Sequence, residues 1–280
     1  MERLFLIGGD ARQEFLANHL TERGYRAERV TGADLARRKD LRACGIILPL
    51  PASRDGETVA GDGVRFADLA HLATTGALLL GGQLPPAWCA AWAAGGGRYA
   101  DYYTETVALR NALPTAEGAI RLAMEGLPVT LSGARVAVTG YGRVGALLAR
   151  KLTLLGARVT VLARSPLALA EAEINGAEAL PLVPVPRLPE GCRAVFNTVP
   201  ARILPEEALR SLPAGCLMVE LASAPYGFDA TRAAALGLRV LPAPGLPGRF
   251  YPETAGRILA DAVCPLLREP PSPAGDISRN

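Results

Sequence analysis

The sequence predicts an α/β fold: two open parallel-sheet domains joined by a connector helix, with a C-terminal helix that returns to the first domain. Three observations predict it. Short apolar runs alternate with helical patterns along nearly all of the 280 residues, as expected of parallel strands buried on both faces. A glycine-punctuated turn, "AVTGYGRVGALLARKL" from Ala137 to Leu152, stands in mid-chain, so another block must precede it. Between the blocks, Thr104–Leu127 has a helical pattern.

In the first block, "RLFLIGG" reads as a strand and "DARQEFLANHLTERG" as a helix, with Asp10 as N-cap and Gly24 closing its end. Phe15, Leu16, His19 and Leu20 recur at helical spacing and are expected to face a sheet, His19 as a core residue. Strands follow at "RAERV", "GIILPL", "ALLLGG" and "RYADY", with helices around Phe66–Leu72 and Trp88–Ala94. The polar, glycine-rich stretch Ala52–Gly63 reads as a loop after a strand's carboxyl end, where open sheets bind ligands. In the connector, Pro114 is expected to interrupt the helix and Thr115 to cap a second piece, whose Ile120, Ala123, Met124 and Leu127 form an apolar stripe.

The second block starts at "ARVAVTG"; strands at "RVTVLA", "AEAL", "AVFN", "CLMVEL" and "LRVL" complete six, the doubly wound architecture known as the Rossmann fold. A last helix, Thr254–Leu267, follows the completed block and is expected to pack on the first. The expected domains are 1–112 with the helix at 250–268, 113–249, and a proline- and serine-rich disordered tail at 269–280.

Composition narrows the function. Net charge is +3 with scattered arginines, which shows no nucleic-acid stripe. Five separated cysteines, Cys44, Cys89, Cys192, Cys216 and Cys264, form no CxxC pair and fit idle thiols in a reducing cytoplasm. "MERLFLIGGD" is too short an apolar run for a signal peptide. Leu69–Gly97 lacks charge, but its glycines and prolines break it into strand, turn and short helix rather than a membrane span. The two histidines, His19 and His71, both lie early, which argues against a 2-hydroxyacid dehydrogenase that needs a late one. Lys39 and Lys151 are the two lysines, neither placed for catalysis, and no metal constellation is visible.

Gly140, Gly142 and Gly145 give G-x-G-x-x-G between strand and helix, the dinucleotide fingerprint in its required context, with Arg143 and Val144 inside it. Gly140 allows the tight turn, Gly142 lets backbone approach a pyrophosphate, and Gly145 lets helix close on strand. The helix N-terminus offers N–H groups to the anion. At the next strand end, "TVLARSP" supplies Ala163, Arg164 and Ser165 where an NAD site wants an acid, so NADP is expected, with NAD the alternative. Asn197, Thr198, Val199 and Pro200 in "FNTVP", and Leu221, Ala222 and Ser223 in "VELASAP", end strands on the nicotinamide side.

The motifs "IGGDAR" (Ile7–Arg12), "ILPL" (Ile47–Leu50), "NALPTAEGAI" (Asn111–Ile120), "GYGRVG", "ARS", "FNTVP", "LAS" and "PAPGLPGRFYPETAGRIL" (Pro242–Leu259) run in order along the chain. Together they resemble the A-subunit family of dipicolinate synthase. Three departures stand out: Glu220 where Asp is usual, "APYGFD" in place of a more glycine-rich stretch, and Glu253 where Lys is common. The resemblance implies an NAD(P)-dependent oxidoreductase of the lysine pathway that forms dipicolinate from dihydrodipicolinate, or its hydrated precursor. It implies work in the mother-cell cytoplasm of a sporulating bacterium, beside a flavoprotein-like B subunit. The chain is also expected to form a homo-oligomer. The first block then becomes a substrate domain, and Asp10, Arg12, Pro49, Asn111, Arg249 and Thr254 become its candidates for holding a dicarboxylate. Glu117 is the candidate base, with the Thr115 hydroxyl and helix N–H groups beside it. The scarcity of acid–base residues leaves open a non-catalytic NADP-binding subunit that supports a catalytic partner.

Overall fold

The computed structural model describes residues 3–38, 44–183 and 187–269. They divide into two compact units, those within 1–111 and 247–280 and those within 112–246. The expected tail at 269–280 lies outside the described residues, except for its first residue, and so does Lys39.

The first unit runs β1 (Arg3–Leu6), α1 (Ala11–Glu22), β2 (Arg26–Arg29), α2 (Gly32–Ala36), β3 (Cys44–Ile47), α3 (Phe66–Leu69), a 3₁₀ turn (Ala70–Thr75), β4 (Leu78–Gly81), α4 (Pro86–Ala94) and β5 (Arg98–Asp101). α5 (Glu105–Gly126) carries the chain into the second unit: β6 (Arg135–Thr139), α6 (Arg143–Leu154), β7 (Arg158–Ala163), α7 (Pro166–Ile174), β8 (Glu178–Pro181), β9 (Ala194–Asn197), α8 (Glu206–Arg210), β10 (Leu217–Glu220), α9 (Ala230–Ala235) and β11 (Arg239–Pro242). α10 (Leu246–Phe250) and α11 (Pro252–Arg268) follow. No described helix is long and apolar enough to cross a membrane.

The first sheet has the order β2-β1-β3-β4-β5, with every pairing parallel. Burial on both faces explains why its inner runs, β1, β3 and β4, read as almost continuously apolar, while the edge strand β2 does not. Leu4, Leu6, Leu78 and Leu80 face one side, where Leu16 and Leu20 of α1 and Ile258, Leu259 and Val263 of α11 cover them. Phe5, Ile46, Leu48 and Leu79 face the other, against Phe66, Trp88 and Trp92. α11 thus returns to the first unit, and Arg23 after α1 pairs with its Asp261 at 2.5 Å. α1 starts as read: the Asp10 carboxylate accepts from Arg12 N at 3.0 Å, and Gly24 follows the helix at φ +90°. His19 is a correction, since it sits at the rim of the stripe, only partly buried, with Nδ1 3.0 Å from Glu22.

The second sheet has the order β11-β10-β9-β6-β7-β8, again all parallel, which is the Rossmann order with its reversal between β6 and β9. Ala137, Val195 and Met218 line one face against Leu204, Leu209, Phe228 and Ala233.

α5 corrects the expected break. It runs without interruption through Pro114, so Thr115 is a mid-helix residue and caps nothing. Proline there removes one intrahelical donor. The burial of Ala112, Ala116, Ala119, Ile120 and Ala123 along one face keeps the helix whole.

Candidate functional site

In doubly wound sheets, ligands bind outside the carboxyl ends of strands at the reversal of strand order. In the second unit a cleft of 880 Å³ opens there. It is lined by Gly140, Gly142, Arg143, Val144 and Gly145 of the turn, by Ala163, Arg164 and Ser165 after β7, and by Thr198, Val199 and Pro200 after β9. Tyr141, Ala168 and Leu182 also line it and were missed. Tyr141 fills a variable position of the fingerprint, and Leu182 follows β8, the neighbour of β7.

The three glycines are glycine for different reasons. Gly140 lies at φ +88°, and a Cβ there would come within 2.6 Å of Thr198 Oγ1. A Cβ on Gly145 would overlap the Gly140 carbonyl, so this glycine lets α6 close on β6. Gly142 has extended backbone at φ −82°, and a Cβ there would meet nothing within 4 Å. Packing within the protein therefore gives no reason for a bare backbone at Gly142. It is the N-cap of α6 and faces open space at a helix N-terminus, a cradle that an anionic group would fill.

Arg164 is exposed and makes no ion pair among the described residues. Ser165 is the N-cap residue of α7, yet its side chain makes no capping hydrogen bond. A cation, a hydroxyl and a helix N-terminus thus stand together at the end of β7, and no acid lies among them.

Asn197 departs from expectation. It is fully buried, and its Oδ1 accepts from Thr139 Oγ1 at 2.6 Å while its Nδ2 donates to Glu220 Oε1 at 2.6 Å and to Val199 O at 3.0 Å. A saturated buried carboxamide joins β6, β9 and β10 and offers nothing to a ligand. Leu221, Ala222 and Ser223 lie outside the cleft; Ala222 N donates to Glu220 Oε1 at 3.0 Å.

Glu117 is paired with Lys151 Nζ of α6 at 2.8 Å, a half-exposed ion pair that ties α5 to α6. Because α5 is continuous, no helix N-terminus exists at Thr115 to present N–H groups. The second is a correction: the backbone donors expected at Thr115 are used inside the helix, while Glu117 stands within an ion pair that leaves it half exposed.

In the first unit the reversal falls between β1 and β3. Gly8 and Gly9 turn the chain there at φ +67° and +77°. Arg12 donates through Nε and Nη2 to Asp10 at 2.8 and 2.9 Å, and through Nη2 to Leu50 O at 2.7 Å. Burial raises the Asp10 carboxyl, but the hydrogen bonds and charge of Arg12 outweigh it and hold the group below its usual value. Pro49 packs on Gly9, where a Cβ would approach it to 3.0 Å. Gly248 of α10 lies against the Asp10 carboxylate so closely that any side chain there would overlap it. Asp10, Arg12 and Pro49 therefore gather with the α10 backbone. Arg249, next to Gly248, is exposed, with its guanidinium 4.6 Å from the Phe250 ring centroid. Thr254 stands in the first turn of α11 and Asn111 on α5, both half-buried. Gln13 was missed: it is 1 % exposed, and its Oε1 has no partner among the described residues. Its place inside an amphipathic pattern gave no signal.

No family model matches the sequence. The dipicolinate synthase A subunit of Bacillus subtilis (strain 168) is 41 % identical over 170 residues, which is 59 % of this chain and 56 % of that relative, so the match spans little more than half the relative's length. The crystal structure of the dipicolinate synthase A subunit from Bacillus halodurans superposes with a TM-score of 0.78 at 28 % identity, covering 96 % of this chain and 98 % of that one. A transhydrogenase from Sinorhizobium meliloti shares the fold, with a TM-score of 0.65 at 16 % identity, over 94 % of this chain and 93 % of its own.

Proposed function

We propose, from the premise that this chain is a relative of the dipicolinate synthase A subunit in sequence and in fold, that it is the nicotinamide-dependent oxidoreductase subunit forming dipicolinate from dihydrodipicolinate or its hydrated precursor. The observation that carries the cofactor part is Gly142, a bare helix-capping backbone with open space where its side chain would be. Gly142 and the α6 N-terminus would hold the pyrophosphate, and Arg164 and Ser165 a 2′-phosphate, which favours NADP over NAD. The cofactor, when bound, supplies a hydride acceptor.

The protein's own task is placement. Aromatisation drives the loss of hydride and proton from a dihydropyridine-type ring, so position matters more than strong acid–base help. In the first unit, Arg12 with Asp10 and Pro49 builds the rim proposed to receive a dicarboxylate. Arg12 fixes the Leu50 carbonyl and the Asp10 side chain, and Arg249 offers an exposed cation. On the relative's name we further propose a cytoplasmic, mother-cell setting with a partner B subunit, and on the sequence reading a homo-oligomer.

A second reading is favoured by one observation: the second unit contains no histidine, and Glu117 and Glu220 are both engaged within the protein. On it, the chain binds NADP as a supporting subunit. Fresh dihydrodipicolinate is incubated with NADP and the purified chain, alone and with the partner subunit, following absorbance of the reduced cofactor. Turnover by the chain alone supports the first reading; turnover only with the partner supports the second.

A further inference from the structure

The loop after β10 holds a residue that the proposed function leaves unused. Tyr226 is 50 % exposed and has φ +64°, in the left-handed region that bulky side chains avoid. Among the described residues, Gln83 is the other non-glycine with positive φ. Strain of this kind persists where surrounding structure over-determines it, and it concentrates at functional sites.

The surroundings do over-determine it. Buried Glu220 accepts from Gly227 N at 2.9 Å through Oε2, and from Ala222 N and Asn197 Nδ2 through Oε1. Gly227 packs on the Asn197 carboxamide with no room for a side chain. Its carbonyl accepts from Ile203 N and Leu204 N at 3.0 and 2.9 Å. Tyr226 N donates to Ser223 O at 3.2 Å. The Thr139–Asn197–Glu220 chain, which sits beneath the reversal of the sheet, thus clamps the loop on both sides of Tyr226. The tyrosine itself stays half exposed, its hydroxyl bonded to no described group.

Its place in the sheet gives the clamp a purpose. β10 is the next strand beyond β9, on the opposite side of the reversal from β7. A dinucleotide with its 2′-phosphate at Arg164 crosses the reversal and carries its nicotinamide end toward β9 and β10. Of the four aromatic residues in this unit, Phe196 and Phe228 are buried, and Tyr141 lies on the fingerprint turn. Tyr226 is the aromatic residue left, in the loop at the carboxyl end of β10, beyond the residues that line the 880 Å³ cleft.

We infer that Tyr226 is a cofactor-contacting residue, an aromatic wall for the nicotinamide ring that the buried Glu220–Asn197 clamp holds in a strained backbone conformation. The inference rests on the nicotinamide-cofactor reading. The oxidised ring is flat and cationic, so the face of a phenol suits it by stacking and by cation–π attraction.

Calorimetric titrations of the full chain with NADP, NADPH and 2′,5′-ADP separate the two claims, because 2′,5′-ADP lacks the nicotinamide half. Tyr226→Gly is expected to bind 2′,5′-ADP as the wild type does and NADP about 3- to 10-fold more weakly, with a smaller loss for NADPH. Tyr226→Phe keeps the ring and is expected to bind NADP like the wild type. Relief of the positive φ is expected to raise the unfolding midpoint of Tyr226→Gly by about 2–4 °C. Tyr226→Asn, which tolerates the same φ, repeats the binding comparison independently of the glycine's added freedom. Equal NADP affinity in wild type, Tyr226→Gly and Tyr226→Asn overturns the inference and leaves the cofactor reading standing. A wild type that binds neither NADP nor 2′,5′-ADP overturns that reading and the inference with it.

Discussion

Gly142→Val is expected to abolish cofactor binding while leaving the second unit folded, a combination that neither neighbouring fingerprint glycine can give. The valine Cβ meets no protein atom within 4 Å, and the extended backbone at φ −82° suits a β-branched residue. Its cost to folding is therefore the loss of a glycine N-cap, about 0.5–1 kcal/mol. Gly140→Ala differs. Its φ of +88° costs an alanine roughly 1–2 kcal/mol, and the approach to Thr198 Oγ1 at 2.6 Å adds an overpacking penalty of roughly 1–3 kcal/mol. A total near 3 kcal/mol is a large share of a typical domain's stability. For the cofactor the order reverses, since the valine stands where the pyrophosphate must approach. Affinity is expected to fall at least 100-fold, about 2.8 kcal/mol. Urea unfolding gives the first quantity and an NADPH fluorescence titration the second. Full affinity in folded Gly142→Val would falsify the fingerprint reading. A Gly142→Val unfolding cost equal to that of Gly140→Ala would refute the claim that this glycine faces open space.

Arg164→Ala is expected to weaken NADP by roughly 1.5–3 kcal/mol through loss of a charge-assisted phosphate contact and to leave NAD unchanged; an unaltered NADP/NAD affinity ratio removes Arg164 from the site. Arg12→Ala is expected to raise KM for the dicarboxylate at least tenfold, about 1.4 kcal/mol, at unchanged NADP affinity, and steady-state kinetics with equilibrium titration tests both halves. Asp10 makes acid stability a further readout. Its folded carboxyl binds a proton less tightly than the usual value of 3.8, so its contribution is complete above about pH 4 and is lost as pH falls from there through the folded value. Wild-type unfolding free energy should therefore drop more steeply than that of Asp10→Asn between about pH 4 and 2, and parallel acid limbs would show that the Arg12 pair stabilises nothing.

The central strands were legible because a parallel strand covered on both faces must be apolar throughout, as "LLLG" in β4 is, whereas the edge strand β2, "RAER", is mostly exposed and carries no such signal. The short helices α2, α8 and α10, of five residues each, were not, because periodicity cannot register in little more than one turn. α5 misled through Pro114: local chemistry favours a break, and the packing of five buried side chains on one face prevails. At the candidate site, glycines and strand ends could be placed because their spacing is itself the signal. Asn197 could not, since a polar residue at a strand's carboxyl end looks the same in sequence whether it meets a ligand or a buried partner. Only the fold brings Glu220, twenty-three residues away, to 2.6 Å from it.

One regularity ties the sequence motifs to the fold. "IGGDAR" follows β1 and "ILPL" spans the end of β3, the two strands on either side of the reversal in the first sheet. "GYGRVG" follows β6 and "FNTVP" spans the end of β9, the corresponding pair in the second. At a reversal the crossovers on either side leave in opposite directions, so the strand ends there are not covered by the next helix and a crevice forms without any special sequence. What sequence must add is backbone able to enter the crevice and groups to fix its walls. In the second unit the glycines supply the first, and the Thr139–Asn197–Glu220 chain supplies the second. In the first, Gly8 and Gly9 turn the chain, and the Arg12 bonds to Asp10 and Leu50 tie the β1 side of the crevice to the β3 side. Arg12 therefore has a structural duty whatever ligand the crevice takes, and for this reason Arg12→Ala is paired with an NADP titration: a ligand-specific loss leaves the second unit's binding intact, whereas a general collapse does not.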